Sequence, residues 1–108
     1  MPTKKELPKC PIAVTPQLLG GKWKLLIIRN LLKRPWCFNE LKRDIDGISH
    51  KMLTASRREL ERDRLITREE ISGPRKCVRY SLTELGATLC PVFDAMKAWG
   101  EFYQKTIE

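Results

Sequence analysis

The sequence predicts a mainly α domain with one small β-hairpin (α+β), a winged helix-turn-helix with extra terminal helices. Three observations predict it. A short apolar-faced segment, Phe38–Ile45, is joined through Asp46-Gly47-Ile48 to a longer amphipathic segment that starts at Ser49; two helices linked by a short glycine-containing turn make a helix-turn-helix. After Leu65 the apolar period drops from about 3.6 to 2, giving two strands around Ser72-Gly73-Pro74. That hairpin follows the second helix at once and bears Arg75, Lys76 and Arg79, the place and charge of a wing.

The 108 residues suffice for one domain with one core. Residues 1–11 carry three prolines and three lysines and are expected to form a flexible arm. Thr15-Pro16 reads as a helix start, a capping residue followed by proline at the first helical position. Gly20-Gly21 interrupt, and KWKLLIIRNLLK follows as a second helix. Trp23, Leu26, Ile27 and Leu31 recur there at helical spacing, widened by Ile28 and Leu32, so this helix belongs at the centre of the core. Arg34-Pro35 ends it, Trp36-Cys37-Phe38 is an extended link, and Asn39 is a natural cap for the short helix to Ile45.

The Ser49–Leu65 helix organises the rest. With Ser49 as N-cap and about 100° per residue, Leu53 and Leu60 share one stripe, while Lys51, Ala55, Arg58 and Arg62 lie opposite, flanked by Thr54. A leucine stripe inward and a cationic, small-residue stripe outward suits a helix in a DNA major groove. Lys51, Thr54, Ala55 and Arg58 would face base edges; Ser49, Arg62, Arg75, Lys76 and Arg79 would contact phosphates. The strands are Ile66–Ile71 and Val78–Leu82, with Val78, Tyr80 and Leu82 on one side. Thr83 caps a last helix from Glu84 to about Thr106, roughly 35 Å long, which Pro91 should kink. Leu85, Leu89, Val92, Phe93, Met96, Trp99, Phe102 and Tyr103 give it more apolar face than a small core needs, and the surplus implies a partner surface. The expected organisation is an arm at 1–11, a DNA-binding domain at 12–82 and a terminal helix at 83–108 packed on that domain.

Charge supports a polyanionic partner for the body of the chain. Residues 1–82 hold 19 Lys/Arg against 9 Asp/Glu, and residues 83–108 hold 2 against 4, within a net charge of +8. The longest apolar run, Leu25–Ile28, is four residues, far short of a bilayer span, and no apolar stretch follows the charges of Met1–Lys9 as in a secretory signal; the expected location is the cytosol. Cys10, Cys37, Cys77 and Cys90 are too widely spaced for a zinc site, and His50 is the one histidine. No metal, cofactor or catalytic group is expected, because no nucleophile stands beside a base and no phosphate loop occurs. Stable disulfides are not expected in that compartment, so each cysteine reads as a buried, inert side chain. Two other functions remain open: a winged-helix module for protein contact, and a ligand-gated regulator without thiol sensing, with Trp23, Phe93, Trp99, Phe102 and Tyr103 lining a pocket.

Cys10-Pro11, Gly20-Gly21-Lys22-Trp23, Phe38-Asn39-Glu40-Leu41, Gly47-Ile48-Ser49, Arg58-Glu59-Leu60-Glu61, Tyr80-Ser81-Leu82-Thr83 with Leu85-Gly86, and Ala98-Trp99-Gly100 come in an order that resembles the HxlR-type winged-helix transcription regulators, relatives of the MarR family. The match runs over roughly residues 10–101. It implies a homodimer built on the terminal helices, with Val92, Phe93, Met96, Trp99, Phe102 and Tyr103 at the interface, bound to an operator of two inverted half-sites. It implies repression or activation of a neighbouring gene, and no catalysis. It also marks Cys10 as the candidate sensor of oxidants or electrophiles, beside Lys9 on the arm. Two residues depart from the pattern: Arg57 where the family has leucine, and Arg64 where it has glycine. Arg57 would have to snorkel outward or the helix roll, and Arg64 would have to adopt a left-handed conformation or end the helix differently.

Overall fold

A computed structural model describes residues 6–108. Its elements run α1 (Pro11–Leu19), α2 (Lys22–Leu31), β1 (Trp36–Cys37), α3 (Phe38–Asp44), α4 (His50–Arg62), β2 (Ile66–Ile71), β3 (Cys77–Leu82), α5 (Glu84–Ala87) and α6 (Cys90–Thr106). This is a winged helix-turn-helix, with α3 and α4 as the helix pair and β2–β3 as the wing. The three strands form an antiparallel sheet in the order β1-β3-β2, with Trp36 opposite Tyr80 on one side and Ile66 opposite Leu82 on the other.

The core is where the periodicities place it. Ile27, Ile28 and Leu31 of α2 meet Leu41 of α3 and Ile45 at its end, Leu53 and Leu60 of α4, Leu65 in the turn after it, and Ile66 and Tyr80 of the sheet. Trp23, Leu26 and Leu32 pack half-buried at the edge of this cluster. Polar groups on α2 then fix the neighbours. Buried Lys24 is ion-paired with Glu59 of α4. Buried Asn30 donates to the Asp44 carboxylate of α3 at 2.8 Å, and its carbonyl accepts from the Trp36 indole N–H at 2.9 Å. The helix pair is thus held to the central helix by directed bonds as well as by apolar contact.

Several boundaries differ from expectation. α1 starts at Pro11, not at Thr15-Pro16. Cys10-Pro11 offers the same start signal one proline earlier: Cys10 is extended, and its carbonyl accepts from Ala13 N–H at 3.0 Å. Of the flexible arm predicted over residues 1–11, residues 1–5 lie outside the described residues, and Pro11 at its other end belongs to α1. Cys37, not Asn39, precedes the first turn of α3; its N–H donates to the Glu40 carboxylate at 2.8 Å, an interaction that, with Arg34 nearby, keeps that carboxyl below its ordinary range. The link Trp36–Cys37 pairs as a strand, which two residues are too few to announce. The terminal helix is interrupted instead of merely kinked. Thr88 and Leu89 bond back three residues, to Leu85 and Gly86, and α6 restarts with Pro91 in its first turn. Proline has no N–H to give the residue four back, so it is best placed in a helix's first turn, where that bond is not made.

Cysteine is the larger correction. None of the four cysteines is buried as expected: Cys10 and Cys90 are exposed, and Cys37 and Cys77, both half-buried, are joined in a disulfide where none was expected. Their Cα atoms lie 5.9 Å apart, inside the range a disulfide spans. A sequence separation of 40 conceals the pair; only the closing of β1 onto β3 brings the two strand ends together.

Candidate nucleic-acid interface

Helix α4 presents the face its sequence foretells. The Ser49 hydroxyl accepts from Met52 N–H at 3.0 Å, capping the helix. Leu53, Ser56 and Leu60 are buried, and Lys51, Ala55, Arg58 and Arg62 are exposed, with Thr54 half-buried beside them. Arg57 does snorkel. Its stem lies over the sheet with the guanidinium 5.7 Å from the Tyr80 ring centroid, and Nη1 donates to Glu61 at 2.8 Å. The helix keeps its leucine stripe inward without rolling, because an amphipathic side chain at its edge can lead its charge out to a carboxylate.

The helix ends in a Schellman turn. Arg64 has φ +60°, its N–H donates to the Glu61 carbonyl, and Leu65 N–H donates to Leu60, both at 3.0 Å. The chain thereby turns directly into β2. Thr83 Oγ1 donates to the Arg64 carbonyl at 2.7 Å and accepts from Gly86 N–H at 2.9 Å, so one hydroxyl joins the end of α4 to the start of α5. Gly86 packs so closely there that a Cβ would overlap the Leu65 carbonyl.

Between α4 and the hairpin lies an open groove of about 600 Å³, lined among others by Thr54, Arg58, Arg68, Lys76, Cys77 and Tyr80. Arg58 projects from the helix side and Lys76 from the wing side. Arg75 stands exposed at the wing tip and Ser49 at the head of α4. Arg62, the last residue of α4, lies 3.6 Å from the Asp63 carboxylate yet leaves most of its side chain in solvent. Arg79 is set back from the tip, half-buried and 3.5 Å from Glu69 across the hairpin. Of the predicted residues, the structure brings Thr54, Arg58 and Lys76 together around this groove; Lys51, Ala55 and Arg75 are exposed but are not among its lining, and Arg79 stays inside the wing. Sequence reasoning missed Arg68. It follows the opening residues of β2, where alternation puts it on the groove side with Tyr80, its cross-strand partner.

The remaining candidates lie elsewhere. Cys10 is exposed at the head of α1, away from the groove-lining set. On α6 no residue is buried. Trp99 and Phe102 are 64% and 63% exposed, Val92, Met96 and Tyr103 are exposed with them, and only Phe93 packs against the core. Trp99 and Tyr103 stack at 5.3 Å. No group of three or more potential metal ligands occurs among the described residues, and no helix among them is long and apolar enough to cross a membrane.

A helix-turn-helix with an exposed cationic second helix and a basic wing defines a transcriptional regulator of the helix-turn-helix type. Comparison with known proteins gives the family. The family model described as HxlR-like helix-turn-helix matches residues 18–108, and the chain belongs to that family. It is 43% identical over 99 residues to the HTH-type transcriptional regulator YdeP of Bacillus subtilis (strain 168), covering 92% of this chain and 77% of that one. Among solved structures, the redox regulator HypR in its reduced form superposes with a TM-score of 0.83 at 38% identity, over 91% of this chain and 97% of that one. The reduced form of the transcriptional regulator YodB from B. subtilis superposes with a TM-score of 0.74 at 37% identity, over 87% and 93%. This is a family of regulators, not a class of enzymes.

Proposed function

We propose that the protein controls transcription as a cytoplasmic homodimer that binds inverted-repeat operators in double-stranded DNA. In this reading α4 lies in the major groove, and the wing rests on the flanking backbone. The observation that carries it is the placement of Arg58 and Lys76 on opposite walls of one cationic groove. Lys51, Thr54, Ala55 and Arg58 face base edges, the alanine suited to a thymine methyl. Ser49, Arg62, Arg75 and Lys76 serve phosphates, while Arg79, paired with Glu69, steadies the wing or reaches phosphate only by leaving that partner. The exposed apolar side chains of α6 are the dimer contact, which sets two α4 helices about 34–36 Å apart, one duplex turn. Cys10, exposed at the head of α1, is the site through which oxidants or electrophiles act, a role in keeping with the likeness to a structure described as a redox regulator.

Binding to the DNA flanking the protein's own gene, measured by anisotropy against random duplex, tests the reading. Arg58→Ala should weaken specific binding by about 1–3 kcal/mol and relax preference at one base position, whereas Lys76→Ala should weaken all duplexes alike. Equal losses on both DNAs for both variants would overturn the division of roles. Loss of binding on oxidation in wild type but not in Cys10→Ser would support the sensor assignment, and an unchanged response in Cys10→Ser would remove it.

A further inference from the structure

The Cys37–Cys77 bond joins two parts that the DNA reading requires to stay in register. Cys37 caps α3, the first helix of the helix pair, and Cys77 opens β3, the strand that returns from the wing tip. Outside that bond, β1 is paired to β3 at two positions only, Trp36 with Tyr80 and Cys37 with Arg79. Cys77 lies beyond both, next to the exposed tip residues 72–76. The bond is therefore the tether nearest the tip. Neither cysteine is fully buried, and Cys77 lines the cationic groove together with Arg58, Arg68 and Lys76. Cys77 thus borders a groove that is open to small reagents when no duplex occupies it.

We infer that Cys37 and Cys77 form a reversible oxidation site, taking hydroperoxides as oxidant and small dithiols as reductant, that fixes the wing to the helix pair when oxidised and releases it when reduced. The site is separate from Cys10, and its consequence for DNA rests on the function proposed above. The chemistry balances with those reagents alone. The thiolate of Cys77 attacks the terminal oxygen of the hydroperoxide; the O–O bond breaks, an alcohol leaves, and a sulfenic acid forms. The Cys37 thiolate then attacks that sulfur, the S–S bond forms, and the hydroxyl leaves as water. Two thiols are oxidised by two electrons, and the hydroperoxide is reduced to an alcohol and water. In the return direction one thiolate of the dithiol attacks the Cys77 sulfur from the groove and frees Cys37. Its second thiolate then closes the reagent's own disulfide and frees Cys77.

The oxidised form has its wing pre-positioned, and a surface held in its bound arrangement loses less entropy on binding. It is therefore the form that binds duplex more tightly. By linkage, DNA must stabilise the disulfide by the same factor.

The test uses the full chain as Cys10→Ser/Cys90→Ser, which leaves the pair as its only thiols, treated with cumene hydroperoxide or with dithiothreitol. Mass analysis after alkylation should find no added label in the oxidised form and two in the reduced form. Amides of residues 72–79 should exchange with solvent faster once reduced. Oxidised protein should bind duplex about tenfold more tightly, and saturating DNA should move the midpoint of each pair about 15 mV more negative, that factor being shared by the two disulfides, four electrons, of the bound dimer. Replacing Cys37 and Cys77 with serine in the same background should give reduced-like behaviour under both treatments. Two labels after peroxide, or wing exchange indifferent to redox state, would overturn the inference. Absence of duplex binding in both states would instead overturn the DNA reading, and the wing exchange would still decide the oxidation site alone.

Discussion

Arg64 pays a conformational cost that glycine would not. At φ +60° its Cβ crowds the following carbonyl, a penalty of about 1 kcal/mol for a residue other than glycine. The turn persists because its two backbone bonds and the Leu60–Leu65 apolar pair close the helix. Arg64→Gly should therefore raise stability by about 0.5–1 kcal/mol, read as a higher urea midpoint at unchanged slope. Gly86→Ala should do the reverse and more strongly, because its Cβ has only the Leu65 backbone to displace. The Lys24–Glu59 pair makes a third residue-level statement. The hydrogen bond from Lys24, more than its charge, holds the Glu59 carboxyl below its ordinary value of 4.5, with burial opposing. A depressed carboxyl stabilises the fold fully above that ordinary value, and the contribution disappears as pH falls through the lower folded one. Wild-type stability should thus decline more steeply than that of Lys24→Met as pH falls below about 4.5; parallel pH profiles would show that the pair does not couple to folding.

At the scale of elements, α6 differs from every other helix in having no buried residue. Its exposed Trp99 and Phe102 offer roughly 1.5–3 kcal/mol each to any surface that covers them. Trp99→Asp with Phe102→Asp should leave the helical circular dichroism of the chain intact while shifting sedimentation equilibrium to monomer. A double variant that stays dimeric would place the interface elsewhere. The elements also show which features a sequence discloses. Ser49 and Thr83 were legible as caps, and the β2–β3 hairpin was legible from its alternation, because each is written within a few consecutive residues. Burial of Lys24 was not, since helical periodicity assigns lysine outward and only the approach of Glu59 on α4 reverses that. The start of α1 had two proline signals in competition. The Cys37–Cys77 bond and the groove wall at Arg68 depend on strand pairing between distant segments, which no local pattern records.

For the whole molecule, the division of charge sets how binding should respond to salt. The cations cluster in the body that carries α4 and the wing, while residues 83–108, with 2 Lys/Arg against 4 Asp/Glu, form the apolar terminal segment. Each phosphate neutralised releases counterions and adds about −0.9 to the slope of log affinity against log salt. A homodimer presents every wing twice, so a substitution in the chain removes two contacts from each complex. Lys76→Ala should therefore reduce the magnitude of the slope by about 2 where the dimer binds, and by about 1 where a single chain does. Where Trp99→Asp/Phe102→Asp separates the chains, the same Lys76→Ala change should have half its effect on the slope. A change of about 1 in both backgrounds would mean that one chain engages the duplex at a time, and a change near zero would mean that Lys76 meets no phosphate.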